Sequence, residues 1–160
     1  MGISISYLRE EVPMVTLWSL KNIYSSIDSD IVLRNGDIIW DVDLKQLVKF
    51  SLSNRSLASI VVTKMKSLYG VVYLRGHTEH EICRKALLNH YVNAGTYFLR
   101  SELGPMLKKN FNSKNLEVSV LKSLVAKRAL FAYRFNGFWK SIHNAKDCEE
   151  AMEIFSNREM

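Results

Sequence analysis

The sequence predicts an α/β domain with a mixed, mostly parallel sheet flanked by helices. Three observations predict it. Short β-rich runs alternate with apolar stripes at helical spacing and then cluster. Only 2 prolines and 7 glycines punctuate the 160 residues, which argues against a loop-rich or low-complexity chain. Hydrophobic residues make up 48% and charged residues 24%, a mix suited to a buried core and wrong for a disordered or fibrous chain. No internal repeat or linker divides the chain, so residues 1–160 read as a single domain.

The elements follow in order. Ile3 to Leu8 alternates apolar and polar residues and predicts a half-buried strand. From Thr16 to Ile27, Leu17, Leu20, Ile23, Tyr24 and Ile27 fall at helical spacing and make an inward stripe. Asp30 to Leu33 is a short strand, stopped by Asn35-Gly36. Asp43 can cap a helix from Leu44 to about Phe50, with Leu44, Leu47 and Val48 inward. Strands are expected at Ser59–Met65 and Val71–Leu74, with an extended piece at Glu81–Lys85. Tyr91 to Leu99 holds two β-rich pieces around Ala94-Gly95. A short helix starts at Ser101 and is interrupted at Gly104-Pro105. Leu116, Val120 and Leu124 recur every fourth residue, with Leu121 and Val125 beside them and Lys114, Lys122 and Lys127 on the wet side. Leu130–Phe135 is a strand, and Ala145–Phe155 closes as a helix with Ala151, Met152 and Phe155 inward.

Charge and cysteines bound the setting. The net charge is +6, and it is uneven. Residues 100–140 carry 9 basic and 2 acidic side chains, giving +7, whereas residues 141–160 carry 2 basic and 5 acidic, giving −3. A basic stretch attracts phosphates, but no nucleic-acid motif accompanies it, so nucleic acid is not the expected partner. Phe131, Tyr133, Phe135, Phe138 and Trp139 read first as core and only second as a stacking platform. No apolar run is long enough to span a membrane. The 2 cysteines, Cys83 and Cys148, lack metal-type spacing, which suits a reduced, cytoplasmic chain.

The most informative stretch is Ile31 to Phe50, IVLRNGDIIWDVDLKQLVKF. A strand there runs into Asn35-Gly36-Asp37 at its carboxyl end, the edge where α/β sheets bind ligands. Gly36 would allow a sharp turn and remove a side chain from the ligand's approach. Asp37 would then offer a carboxylate that can hold Mg²⁺ together with waters and phosphate oxygens. The same spacing also fits an ordinary turn with no ligand.

This stretch resembles the central part of the sugar-phosphate nucleotidyltransferases, in which a strand ends in Asn-Gly-Asp and an Asp-Leu opens the next helix. Three more matches follow in order. Ala58–Val72 (ASIVVTKMKSLYGVV) is similar to the family's strand, Tyr-Gly-Val turn and strand. Leu88–Leu99 (LNHYVNAGTYFL) is similar to its Val-Asn-Ala-Gly-Ile-Tyr stretch. Phe135–Ala151 (FNGFWKSIHNAKDCEEA) is similar to its Gly-Phe-Trp motif and the following helix. The flavour is that of mannose-1-phosphate guanylyltransferase or glucose-1-phosphate nucleotidyltransferase.

The resemblance implies a Rossmann-like, nucleotide-diphospho-sugar transferase fold whose N-terminal units are missing, with 1–160 as its C-terminal portion. It implies a reaction between a nucleoside triphosphate and a sugar 1-phosphate. Asp37 would hold Mg²⁺, Lys85 would contact the sugar phosphate, and Gly36, Asn93 and Gly95 would border the substrate. Lys85 read on its own is equally a solvated surface lysine.

Three departures fall on the nucleotide side. The family's opening glycine-rich loop, Gly-x-Gly-Thr-Arg, has no counterpart here. Its Gly-Thr-Ala-Gly reads Val15-Thr16-Leu17-Trp18, with bulky side chains that would cover surface bared by the truncation. Its late acidic metal ligand is absent from Lys140-Ser141-Ile142-His143, and His143 reads as a turn residue. The expectations are therefore reduced or no activity in isolation, or a split enzyme that needs a complementing N-terminal subunit or self-association. A non-catalytic phosphate- or nucleic-acid-binding module that reuses the scaffold is the alternative from another class.

Overall fold

A four-stranded sheet organises the chain, with strand order β1-β6-β3-β7. The computed structural model describes residues 2–156 apart from residues 3, 12–14, 68, 77, 85 and 108–114. The strands are β1 (Ile31–Arg34), β3 (Ala58–Lys66), β6 (Leu87–Leu99) and β7 (Leu130–Arg134). β1 and β3 each pair antiparallel with β6, while β3 and β7 pair parallel. Three strands therefore run one way, and the long β6 runs against them between β1 and β3. The sheet is mixed, as the sequence predicts.

Helices cover both faces. On one side lie α1 (Thr16–Ser26), a 3₁₀ turn (Ser101–Leu103) continuing into α3 (Gly104–Leu107), and a π-helical turn (Glu117–Leu121) continuing into α4 (Lys122–Ala126). Their Leu17, Leu20, Leu103, Leu107, Leu116, Val120 and Leu124 pack on Ala58, Tyr97 and Leu99 of the sheet. On the other side α2 (Leu44–Ser53) sets Leu47 against Val61, Ala94 and Phe98. The end of β6 is thus buried on both faces, and Ala94–Leu99 are buried without interruption.

Each helix end has a local cause. Asp43 caps α2 by accepting from Lys45 N–H at 2.9 Å and Gln46 N–H at 3.1 Å. This holds its carboxyl below the usual carboxylate range, chiefly through the Gln46 amide. α2 stops at Arg55, whose φ is 51°, and α4 stops at Arg128, whose φ is 55°. In both, the two amides after the cap fold back onto the last turn: Arg55 N–H to Leu52 O and Ser56 N–H to Ser51 O, then Arg128 N–H to Val125 O and Ala129 N–H to Leu124 O. That is the Schellman pattern, built here on arginine in place of glycine. Both exits feed the sheet side by side, since Leu57 and Ala58 N–H both donate to Ala129 O.

Two small antiparallel ladders stand beside the main sheet. β2 (Ile38–Trp40) pairs with β8 (Trp139–Ser141), and β4 (Val71–Arg75) pairs with β5 (Thr78–Cys83). α5 (Ala145–Ser156) follows β8.

Several expectations need correction. Residues 4–10 form no strand, and Ile5 and Tyr7 are 68% and 90% exposed. An alternating pattern needs a partner strand to become a sheet, and none pairs with it among the described residues. Leu44, Val125 and Met152 point outward, although the helical spacing placed them inward. Ile27 lies just past the end of α1 and is also exposed. Leu17 is buried as expected, but Trp18 is 42% exposed and covers little. Tyr91–Leu99 belongs to one continuous 13-residue strand and not to two pieces.

Candidate functional site

The carboxyl end of β1 delivers Asn35-Gly36-Asp37 to the edge where the three codirectional strands end, and two neighbours hold that turn. Asn35 N–H donates to Gly95 O at 2.9 Å. Ile142 N–H donates to Asp37 O at 2.7 Å, which lengthens the β2–β8 ladder by one residue. The turn and the start of α1 border a cleft of about 400 Å³, lined by Thr16, Ser19, Leu33, Arg34 and Gly36–Asp37 among others. The Asp37 side chain is exposed at its rim.

The two glycines differ. Gly95 has φ +66°, and a Cβ there would overlap Ile38 Cδ1 and lie 2.9 Å from Asn35 Nδ2. It sits where β6 shifts register against β3, between the pairs Ile60–Tyr97 and Val62–Asn93. Gly95 is therefore required by backbone geometry and packing together. Gly36 has no positive φ, and a Cβ there would meet nothing within 4 Å. Its turn does not need glycine for conformational reasons, contrary to the first half of the sequence reading. Its lack of a side chain leaves open space at the mouth of the cleft.

Asn93 shapes the bulge from within. Its Oδ1 accepts from Gly95 N–H at 2.9 Å, and its Nδ2 donates to Tyr97 Oη at 2.5 Å. Tyr97 O–H donates to Glu117 Oε1 at 3.0 Å. Burial pushes the Tyr97 phenol up to about 12, with the Glu117 charge adding to the shift and the Asn93 hydrogen bond opposing it. Glu117 opens the π-helical turn, whose Asn115 side chain accepts from the Glu117 and Val118 amides at 2.8 and 3.1 Å. A π turn of this kind is an energetically costly local feature and often marks a site.

Two tryptophans facing each other across the β2–β8 ladder secure the same segment. Trp40 Nε1–H donates to Thr96 Oγ1 at 2.8 Å, and Trp139 Nε1–H donates to Ala94 O at 3.0 Å. Trp139 is thus a half-buried brace, in line with the core reading. Arg34 lies 5.1 Å over the Trp40 ring and donates to Ile38 O at 2.6 Å, closing the turn from outside. Arg34, Trp40 and Glu117 were invisible as site residues in the sequence. Trp40 pairs with Trp139 across about a hundred residues of chain, and no local pattern in the sequence signals it.

Lys85 lies outside the described residues. So do Lys108, Lys109, Phe111 and Lys114 of the basic stretch. Of the remaining cations there, Arg100 pairs with Asp30 and Glu102, Lys140 pairs with Asp147 and Glu150, and Arg134 stacks on Tyr91. Lys122, Lys127 and Arg128 are exposed on and just after α4.

The donor set suits Mg²⁺ only in part. Among the described residues no group of three His, Cys, Asp or Glu side chains converges. Asp37 can serve as the single carboxylate of an ion that takes its other oxygens from water and phosphate. The chain leaving β8 does bring Ile142 beside Asp37, with His143 next in sequence. The first acid after them, Asp147, is already engaged by Lys140 Nζ at 3.2 Å and by His143 N–H at 3.0 Å. Those contacts, the amide first, hold its carboxyl low. His143 itself is exposed in the connection between β8 and α5.

No protein-family model matches the chain. It is 28% identical over 156 residues to mannose-1-phosphate guanyltransferase 2 of Candida glabrata, covering 91% of this chain and 43% of that one. It is 26% identical over 166 residues to mannose-1-phosphate guanyltransferase of Saccharomyces cerevisiae, covering 98% and 45%. A solved structure from Bacillus anthracis, described as a glucose-1-phosphate thymidylyltransferase in complex with a sucrose, superposes with a TM-score of 0.71 at 16% identity, over 96% of this chain and 65% of that one. The structure of HddC from Yersinia pseudotuberculosis complexed with GMP-PN gives 0.61 at 21% identity, over 91% and 64%. No helix among the described residues is long and apolar enough to cross a membrane. By fold and by sequence pattern, the chain is similar to the sugar-phosphate nucleotidyltransferases, and it spans less than half the length of the curated relatives it matches.

Proposed function

We propose that this chain is the sugar-phosphate side of a nucleotidyltransferase domain, and that turnover needs a glycine-rich nucleotide loop its sequence does not contain. The reaction would be attack by a phosphate oxygen of a sugar 1-phosphate on the α-phosphorus of a nucleoside triphosphate. A new P–O bond forms, the bond from the α-phosphorus to the bridging oxygen breaks, and pyrophosphate leaves. Such chemistry rests on positioning and charge neutralisation, not on a covalent nucleophile. Bound Mg²⁺ would supply charge neutralisation at the phosphates. Asp37 would hold it, Gly36 would keep the approach open, and the Asn93–Gly95 bulge would fix the turn in place. Lys85 would meet the sugar phosphate.

The carrying observation is Gly36: its backbone does not demand glycine and no neighbour fills the space, yet it stands beside the exposed Asp37 carboxylate at a cleft. Amide NMR shifts on adding a sugar 1-phosphate with Mg²⁺ would test the site, with the largest changes expected at residues 35–37 and 95. Pyrophosphate release with a panel of nucleoside triphosphates would test the rest, and little or none is expected from the chain alone. Rapid turnover by the isolated chain would refute the dependence on a further segment. Absence of shifts at residues 35–37 would refute the site. A cytoplasmic setting fits substrates of this kind.

A further inference from the structure

One segment has the pattern of a strand and no sheet, and one sheet edge has no strand. Residues 4–10 join no helix or ladder, and alternation puts the exposed Ile5 and Tyr7 on one side and the exposed Leu8 on the other. Glu10 ties the end of this segment to α1, where its carboxylate accepts from the Ser19 hydroxyl. The free edge belongs to β1, an outer strand of the main sheet. Asn35 N–H donates to Gly95 O, and antiparallel pairs alternate, so Leu33 also turns its N–H and C=O towards β6. Val32 and Arg34 turn theirs away, and nothing among the described residues pairs with them. What favours β1 over β7, the sheet's other outer strand, is the cleft beside it. Tyr24, late in α1, donates to Arg100 O, next to the Leu99 that faces Ile31, so α1 and β1 run in opposite directions. Leu20, Ile23 and Leu33 therefore line one end of the cleft, and Thr16, Ser19 and Asn35 to Asp37 the other.

We propose that residues 4–8 of a second copy add to the outer edge of β1 as a further strand. Ile5 and Tyr7 then enter the apolar end of the cleft, Leu8 covers the exposed Val32 on the opposite face, and the polar end stays open. The outward N–H and C=O groups of Val32 and Arg34 supply main-chain hydrogen bonds, and the alternating side chains set the register. Within one chain the segment stands off that edge with its end tied to α1, so the occupant comes from a second copy. Each copy offers one segment and one edge. The exchange is therefore reciprocal and closes as a two-fold dimer. The inference does not depend on the proposed activity.

Sedimentation equilibrium and amide hydrogen exchange of the full chain, from about 10 μM to about 1 mM, test it. The mass should climb from monomer to dimer and no further. Over the same range, exchange at the Val32 and Arg34 amides should slow about tenfold or more, while the Leu33 amide is protected throughout. Ile5→Asp with Tyr7→Asp changes two exposed positions, so it should keep the parent's circular dichroism and melting temperature and lose both effects. Val32→Pro removes an outward N–H, spares the ladder to β6 and should also abolish the dimer. A chain that stays monomeric throughout, with Val32 and Arg34 unprotected, overturns the proposal. Protection of these two amides in a monomer overturns it as well, since the chain's own segment would then hold the edge. So does a dimer that leaves both amides unprotected, or one that survives either variant.

Discussion

Replacing Gly95 by alanine should be far more damaging than the addition of one methyl group suggests. The residue sits at φ +66°, where an L side chain costs about 1 kcal/mol or more. The new Cβ would overlap Ile38 Cδ1 and press on Asn35 Nδ2 at 2.9 Å and Asn35 Cγ at 3.2 Å. Ile38 is 4% exposed and has little room to move. Overpacking of this kind costs about 1–3 kcal/mol. The sum is about 3 kcal/mol, or roughly 6–12 °C in melting temperature for a chain of this size. Denaturant unfolding followed by circular dichroism should show a lower midpoint at an unchanged slope. A second variant isolates the steric part. Ile38→Val removes the Cδ1 atom, so the double variant Gly95→Ala with Ile38→Val should be more stable than the two single losses predict, by about 1 kcal/mol. If Gly95→Ala costs under about 1 kcal/mol, or if Ile38→Val shows no coupling to it, the reasoning about the bulge is wrong.

Four further outcomes follow from the same structure. Gly36→Ala should leave stability unchanged or raise it by up to about 1 kcal/mol, through a less flexible unfolded chain, while sugar 1-phosphate shifts at residues 35–37 are lost; stability and binding should separate. Arg55→Gly and Arg128→Gly should each stabilise by about 0.5–1 kcal/mol, because both residues hold the left-handed conformation at a helix end; thermal melts that fall would refute this. Tyr97 titrates higher folded than unfolded, so its contribution is full below pH 10 and is lost as pH rises from 10 towards 12; Tyr97→Phe should flatten that alkaline limb of a stability–pH curve. Asp43 titrates lower folded than unfolded, so its contribution is full above about pH 4 and is lost as pH falls through its depressed value; in Asp43→Ala, α2 should fray and the acid limb should shrink.

The sequence made some parts of this molecule legible and hid others for physical reasons. α1, α2 and α5 announce themselves because a helix stripe is local: Leu17 and Leu20 lie within one turn, and the Asp43 cap is read from its neighbours. The Asn-Gly-Asp turn and the Asn-Ala-Gly bulge were legible as motifs, and the structure does bring them together through the Asn35–Gly95 hydrogen bond. The β2–β8 ladder was hidden. Each strand has only three residues, and they pair across about a hundred residues of chain, so no local period reveals them. The Ile3–Leu8 pattern misled for the converse reason, since alternation is necessary for a half-buried strand but a partner is what makes one. The ends of α2 and α4 were hidden because arginine stands where a glycine would have signalled the stop.

The site's precision and its chemistry lie on different residues. Asn93, Thr96, Trp40, Trp139 and Glu117 are spent on one another or on the backbone, and together they hold the segment that carries Gly95. Gly95 in turn leaves room for the Asn35 side chain, and its carbonyl accepts the Asn35 backbone N–H. What this chain of supports presents to the cleft is the open space at Gly36 and one carboxylate, Asp37, beside Thr16, Ser19 and Arg34. A lone exposed carboxylate binds a divalent ion weakly unless phosphate oxygens complete the shell. The braced turn is therefore preorganised for a metal that arrives with its phosphates. Mg²⁺ alone should perturb residues 35–37 little, and Mg²⁺ with a phosphorylated ligand should perturb them strongly. Equal shifts from the metal alone would mean that the supports build a standing cation site.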